Sequence, residues 1–266
     1  MSSAGSPGSS SGVDRIVKER ADAPPGFFEA EAAGLRWLAA AGGVRVARVL
    51  SVGPGRIELE RIPAGPADAV AAAAFGRALA DTHAAGAAAF GSPPAGWTGP
   101  SFIGRRRQSA EPTATWGAFY AAQRVLPFVA PAVAAGNLRR EDAALVERAC
   151  AVIAAGAFDD DETPARLHGD LWNGNVLWTG EEVVLIDPAA HGGHRETDLA
   201  MLELFGCPFL DVIRDAYHAR SPLRAGWEDR IPVHQLHPLA VHAAGHGPAY
   251  GRALAEAAAH TLALAG

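Results

Sequence analysis

Asp170, Asn175 and Asp187 are the residues whose types and spacing could do chemistry together. The first two stand in Leu167-His168-Gly169-Asp170-Leu171-Trp172-Asn173-Gly174-Asn175. The third stands in Ile186-Asp187-Pro188, at the end of an apolar, β-rich run. A carboxylate, an amide five residues on and a second carboxylate beyond a strand are the parts that phosphoryl transfer uses. The first accepts the proton of an attacking hydroxyl, while the amide oxygen and the other carboxylate hold Mg²⁺ against the phosphates of ATP. Hard oxygen donors suit Mg²⁺, which keeps several waters and takes few protein ligands. Either Asp alone could be a helix or turn cap, so it is the spacing to Asn175 that carries the reading.

Such residues need a scaffold, and the chain supplies a strand-rich first part and a helix-rich second part. Residues 1–12 are almost entirely Ser, Gly and Pro and are expected to be flexible. Val13 to Lys18 reads as a strand, and Phe28, Glu31, Leu35 and Leu38 recur at helical spacing over 27–41. That places Glu31 where an apolar residue would be expected. A buried Glu requires a cation, and Lys18 is the partner the pattern offers, with Glu29 as the other acid available to it. Strands are expected over 44–52 and 56–62, joined by Gly53-Pro54-Gly55, and Pro63-Ala64-Gly65-Pro66 marks a lobe boundary. Helices are expected over 67–89, 116–135, 140–155, 198–204, 209–219, 233–244 and 249–264, with a strand over 182–186. The fold class is therefore α+β and bilobal, with a small lobe at 13–62 and a helical lobe at 63–266.

Composition excludes other classes. A net charge of −6 disfavours nucleic acid, which needs clustered positive charge. Arg105-Arg106-Arg107 is the one basic run, read either as a solvated turn or as a contact to an anionic or polar substrate. No apolar run reaches the ~18 residues of a membrane span, and the N-terminus lacks a signal-peptide pattern. Cys150 and Cys207 form no disulfide framework and read as core residues. These features predict a soluble, cytoplasmic monomer. His83, on the face with Phe75 and Leu79, reads as a core histidine, and His168 as a brace for its loop. His234, His237, His242 and His246 lack zinc-site spacing.

Several stretches resemble the fructosamine kinase, or ketosamine 3-kinase, family. They are His168 to Trp172 with Gly174-Asn175, Gly192 to Met201, Gly26 to Glu31, Phe102-Ile103-Gly104 with Gln108, Trp116 with Phe119-Tyr120, and Trp227 to Pro232. The resemblance runs in order over about residues 17 to 250 and rests most on Trp172, since a Trp after Asp-Leu is not general among phosphotransferases. It implies a protein-kinase-like fold, related to aminoglycoside and choline kinases. The implied reaction is ATP- and Mg²⁺-dependent phosphorylation of the C3 hydroxyl of a ketosamine, small or protein-bound, with deglycation as the outcome. It also implies roles: Asp170 as base, Asn175 and Asp187 on Mg²⁺, and Lys18, fixed by Glu31, on the α and β phosphates. Main-chain groups near Glu60 and Ile62 would meet the adenine, Trp172 would lie beside the sugar, and Gln108, Trp227 and His194 would be further substrate contacts. A complete kinase small lobe also carries two strands and a glycine-containing loop ahead of its lysine strand. Only seventeen residues precede Lys18, so the small lobe is expected to be incomplete, and Gly5, Gly8 and Gly12 lack the flanking strands of a phosphate loop. The rival expectations are a kinase for an aminoglycoside or amino alcohol, and a ligand-binding pseudokinase without turnover.

Overall fold

The structure, a computed structural model, describes residues 14–266; Val13, the 1–12 stretch and its glycines lie outside the described residues. The chain opens with β1 (Arg15–Glu19), α1 (Phe27–Ala39), β2 (Arg45–Val46), β3 (Val49–Gly53) and β4 (Arg56–Glu60). Antiparallel pairing gives the order β1-β4-β3, with Lys18 opposite Ile57 and Gly53 opposite Arg56 across the Pro54-Gly55 turn. Helix α1 lies against this sheet through buried Phe28, Leu35 and Leu38, and this packing settles the position of Glu31.

The strand expected over 44–52 is two strands that serve different sheets. β2 leaves the antiparallel sheet and pairs in parallel with a strand some 140 residues later, Arg45 opposite Val184 and Val46 opposite Leu185. Only β3 turns back onto β4. The continuous apolar run had concealed this, because a buried segment reads the same whichever partner it takes.

Beyond Pro66 come α2 (Ala69–Ala84), β5 (Ser101–Ile103), β6 (Arg106–Gln108), α3 (Trp116–Phe119), α4 (Leu126–Ala134) and α5 (Arg140–Ala154). Asp68 caps α2 by accepting from the amides of Val70 (2.7 Å) and Ala71 (3.1 Å). The single helix expected over 116–135 is interrupted by a π-helical turn, Tyr120–Val125, between α3 and α4. The hairpin of β5 and β6, tied at Ser101 to Gln108 and Ile103 to Arg106, was not expected as strands at all.

The segment from Asp170 to Asp187 is framed by short strands: β7 (Ala165–Leu167), β8 (Val176–Trp178), β9 (Val183–Leu185) and β10 (His191–Gly193). Strands β7 and β10 pair antiparallel, as do β8 and β9. The chain then closes with α6 (Glu196–Phe205), α7 (Leu210–Arg220), α8 (Trp227–Ala243) and α9 (Pro248–Ala265).

Two apolar clusters form the core. One lies among α3 to α5, α8 and α9, around Tyr120, Val125, Val146, Ile153 and Leu236. The other joins α1 and β4 to α2, α6 and α7 through Leu35, Ile57, Phe75, Leu199 and Tyr217. This second cluster crosses the Pro63–Pro66 segment, so the apolar core does not divide where the sequence suggests a lobe boundary.

Candidate active site

β7 ends at Leu167 and delivers the chain into the loop of Asp170; a short 3₁₀ turn, Asn173–Asn175, feeds β8, and β9 returns to Asp187. The two ends are tied together by the Ile186 amide donating to the Asn175 carbonyl at 3.2 Å. Asp187 holds a left-handed backbone, φ 53°, unusual for a residue other than glycine and of the kind found where function over-determines the local structure.

The Asp170 loop is pinned from below by a buried carboxylate. Asp198 accepts from the amides of His168 (2.7 Å) and Gly169 (2.9 Å) and meets His83 Nε2 at 3.2 Å. His83 in turn meets the Tyr217 hydroxyl at 2.8 Å through Nδ1, so it is the satisfied core histidine the sequence suggested. Burial raises the Asp198 carboxyl, but the His83 hydrogen bond and charge, with His168 and the Gly169 amide, outweigh it and bring it below its ordinary value. His168 braces the loop as expected. Its Nδ1 accepts from the Asp170 amide at 3.2 Å and its Nε2 donates to the Ile186 carbonyl at 2.8 Å, an arrangement only the neutral ring can make. Burial accordingly lowers its pKa.

A cleft of about 400 Å³ gathers Lys18, Glu31, Asp170, Trp172, Asn175 and Asp187. Lys18 Nζ donates to Glu31 Oε1 at 2.8 Å and forms a second, shorter ion pair with Asp187. Burial disfavours the charged Lys18, but Glu31 and Asp187 outweigh it and raise its pKa. Glu29 is not its partner. Asn175 Nδ2 donates to the Asp170 carbonyl (2.8 Å) and carboxylate (3.2 Å), which leaves the amide oxygen as the atom free for a cation. Burial pushes the Asp170 carboxyl up to about 7; the Asn175 hydrogen bond opposes this, and the charges of Asp187 and Asp198 add to it. Trp172 is 40% exposed, meets Phe205 edge-on at 6.0 Å, and lies so low over Gly174 that a Cβ there would stand 2.2 Å from its ring. A side chain at 174 would therefore displace the indole from the cleft wall.

The remaining expected site residues are elsewhere. The Glu60 amide is spent on the Arg48 carbonyl (2.9 Å) and its carboxylate accepts from the Arg48 amide (3.0 Å), so it is bound up within the sheet. Neither Glu60 nor Ile62 lines the cleft around Asp170. Gln108 faces its own hairpin, donating to the Phe102 carbonyl at 3.2 Å. Trp227 begins α8 and packs in the second core cluster, with the Arg214 guanidinium 5.7 Å from its ring. His194 is buried at 3% exposure beside Trp116 and His234, with Nε2 on Asp160 (3.3 Å) and Nδ1 accepting from the Glu196 amide (3.2 Å). Both its nitrogens are engaged, so it has no free atom for a substrate.

The cleft also has walls for which the sequence assigned no role, Phe27, Phe28, Trp97 and Phe102 with Arg20, and Arg105 of the basic run lines it too. Gly34 is missed as well. A Cβ there would stand 3.1 Å from Pro188 Cγ and 3.2 Å from Ala190 Cβ, so its bareness lets α1 lie directly on the Asp187-Pro188 turn. Its place three residues after Glu31, on the same helical face, was the available signal.

A carboxylate on a braced loop, an amide and a second carboxylate in the same cleft, and a Lys–Glu ion pair from a strand and the helix behind it are the parts that a protein-kinase-like phosphotransferase uses. The fold agrees: solved structures of a choline/ethanolamine kinase family protein from Mesorhizobium loti (TM-score 0.57, 17% identity, 95% of this chain and 86% of that one) and of an aminoglycoside phosphotransferase (TM-score 0.54, 18%, 90% and 82%) share it. Within that class the chain belongs to the fructosamine kinase family, whose model matches residues 11–263. It is similar to a probable ketoamine kinase of Synechocystis sp. (35% identical, 81% of this chain and 72% of the relative) and to another of Thermus thermophilus (34%, 90% and 84%). A crystal structure of a fructosamine-3-kinase candidate from Thermobifida fusca superposes with a TM-score of 0.87 at 46% identity, covering 94% of this chain and 85% of that one. The protein is thus a kinase of this family.

Proposed function

We propose that this kinase transfers the terminal phosphoryl group of ATP to the C3 hydroxyl of a ketosamine, a sugar joined to an amine through glycation and rearrangement. The observation that carries this reading is the meeting of Asp170, Asn175, Asp187 and the Lys18–Glu31 pair in one cleft of a fructosamine kinase family member. The donor set suits Mg²⁺: both candidate ligands offer hard oxygens, and the Lys18 ammonium seated on Asp187 shows that this carboxylate already accepts a cation. Bound between Asn175 and Asp187, Mg²⁺ would neutralise charge on the phosphates. Lys18, held by Glu31, turns from Asp187 to the α and β phosphates. Asp170 orients the acceptor hydroxyl and takes its proton, a role that depends on position. Trp172 offers the sugar a flat apolar face from the rim of the cleft.

The phosphorylated adduct would release its amine, so the physiological role in this reading is deglycation, of small glycated amines or of lysines on proteins. A cytoplasmic, monomeric enzyme completes the reading, and its two free thiols, Cys150 and Cys207, suit a reducing compartment.

Asp170→Asn tests the assignment. ADP release with ribulosamine or fructosamine acceptors is expected to fall by at least about a hundredfold while the melting temperature holds, because only the proton acceptor is lost. An unchanged rate would overturn it. In an acceptor screen, turnover of aminoglycosides or amino alcohols but not of ketosamines would assign a different hydroxyl. No ADP with any acceptor, together with no thermal stabilisation by Mg²⁺-ATP, would point to a pseudokinase.

A further inference from the structure

The cleft beside Asp170 holds two guanidinium groups that the phosphoryl-transfer machinery does not use. Arg105 stands at the Gly104-Arg105 turn between β5 and β6 and lines the cleft. Arg20 follows β1 and lines it too, with a side chain only 19% exposed. Its guanidinium sits 4.4 Å over the ring of Phe27, which meets Phe102 of the hairpin edge-on at 5.2 Å. A wall of two touching rings therefore joins the segment after β1 to the hairpin that carries Arg105.

The cleft's own carboxylates are taken: Glu31 and Asp187 by Lys18, and Asp170 by Asn175. Among the described residues the Arg20 side chain has only the exposed Asp22 as an ionic partner, 3.2 Å from its Nε, and that nitrogen makes no hydrogen bond. Among the described residues Arg105 enters no ion pair. A guanidinium fork matches a carboxylate in shape and charge; that of Arg20 is fixed against an aromatic face while Arg105 reaches in from the turn, and the size of the cleft is that of a small-molecule site. A glycated free amino acid carries such a carboxylate on the amine half of the acceptor, a few bonds from the C3 hydroxyl. In a glycated protein lysine, modified on its ε-amine, the corresponding atoms are uncharged side-chain methylenes.

We propose that the acceptor is an anionic ketosamine, a free amino acid glycated on its α-amine, whose carboxylate is bound by Arg105 and Arg20 while Asp170 takes the proton of its hydroxyl. This rests on the ketosamine kinase reading above and makes Arg105 and Arg20 the residues that set acceptor specificity.

Ribulosyl-glycine and ribulosyl-glycinamide differ at the carboxylate, and ADP release gives kcat/KM for each. The wild type is expected to favour the acid by about tenfold, in the range of one charge-assisted contact. Arg105→Ala is expected to bring that ratio to within about twofold, Arg105→Lys to retain part of it, and Arg20→Ala to shift it in the same direction. The Arg105 variants alter an exposed turn, so they separate the effect from a folding defect in Arg20→Ala. Equal turnover of acid and amide by the wild type, or an acid-to-amide ratio unaltered in both alanine variants, would overturn the proposal alone. So would a raised KM for ATP in Arg105→Ala with the ratio intact, which would assign this guanidinium to phosphate. Turnover of neither ketosamine, with phosphorylation of another hydroxyl, would overturn the function reading and this inference together.

Discussion

The Lys18–Glu31 pair shows how far one residue's placement decides the site. A carboxylate on the inward stripe of α1 is costly to bury unless a cation meets it, and Lys18 does so at 2.8 Å. Burial raises the Glu31 carboxyl, Lys18 opposes that rise, and Asp187 adds to it, so three charges share one small space. Glu31→Gln keeps the shape and removes the charge that holds Lys18. Lys18 then stays on Asp187, and kcat/KM for ATP is expected to fall by about tenfold to a hundredfold, chiefly through KM, the range for one charge-assisted contact. Steady-state kinetics at varied ATP would check this, and an unaltered KM would mean that Lys18 is positioned without Glu31. The pair was legible in the sequence because helical periodicity flagged an acid among apolar residues. The burial of His194 and the packing of Trp227 against the second core cluster were not legible, because motif order says which segments a chain has and nothing about which way a side chain turns.

At the scale of elements, the contact between α1 and the Asp187-Pro188 turn aligns Lys18, Glu31 and the Asp187 carboxylate. Gly34 sets that contact, and a Val there would drive two methyls into Pro188 and Ala190. Overpacking of this kind costs about 1–3 kcal/mol. Gly34→Val is therefore expected to lower the melting temperature by a few degrees, about 2–4 °C per kcal/mol for a chain near this size. It should also lower kcat/KM more steeply than the stability loss explains, because α1 carries Glu31 away from Lys18. Thermal melts paired with kinetics would test it, and a melting shift with undiminished kcat/KM would show that the site tolerates movement of α1. The split of the 44–52 run into β2 and β3, and the π-helical turn Tyr120–Val125, are also decisions made at this scale. Neither is legible locally, since the first depends on β9 being present as a partner and the second on Tyr120 and Arg124 both being buried against their neighbours.

Taken as a whole, the molecule stores a pH dependence in its buried histidines. Burial lowers the pKa of His168 and His191, and it lowers His234 to about 4 and His237 to about 3, outweighing the hydrogen bond and charge of Glu196 at His234. The native state keeps these rings neutral while the unfolded chain takes up protons below the ordinary value near 6.5. Stability is thus complete above about pH 6.5 and is lost as pH falls toward 4, by on the order of 1 kcal/mol per histidine per pH unit. Melting temperatures measured from pH 7.5 to 4.5 are expected to decline steadily below 6.5, and a flat profile would refute the neutral assignment. The sequence by itself determined the family, the fold class, most of the helices and the pairing of Lys18 with Glu31, because spacing and periodicity are local properties that a chain writes in its residues. Only the tertiary structure decided that one core cluster runs across the expected lobe boundary, that Asp198 and His83 hold the Asp170 loop from beneath, and that Arg20 and Arg105 face the cleft. Those outcomes depend on which distant segments exclude water together, and no local pattern encodes that.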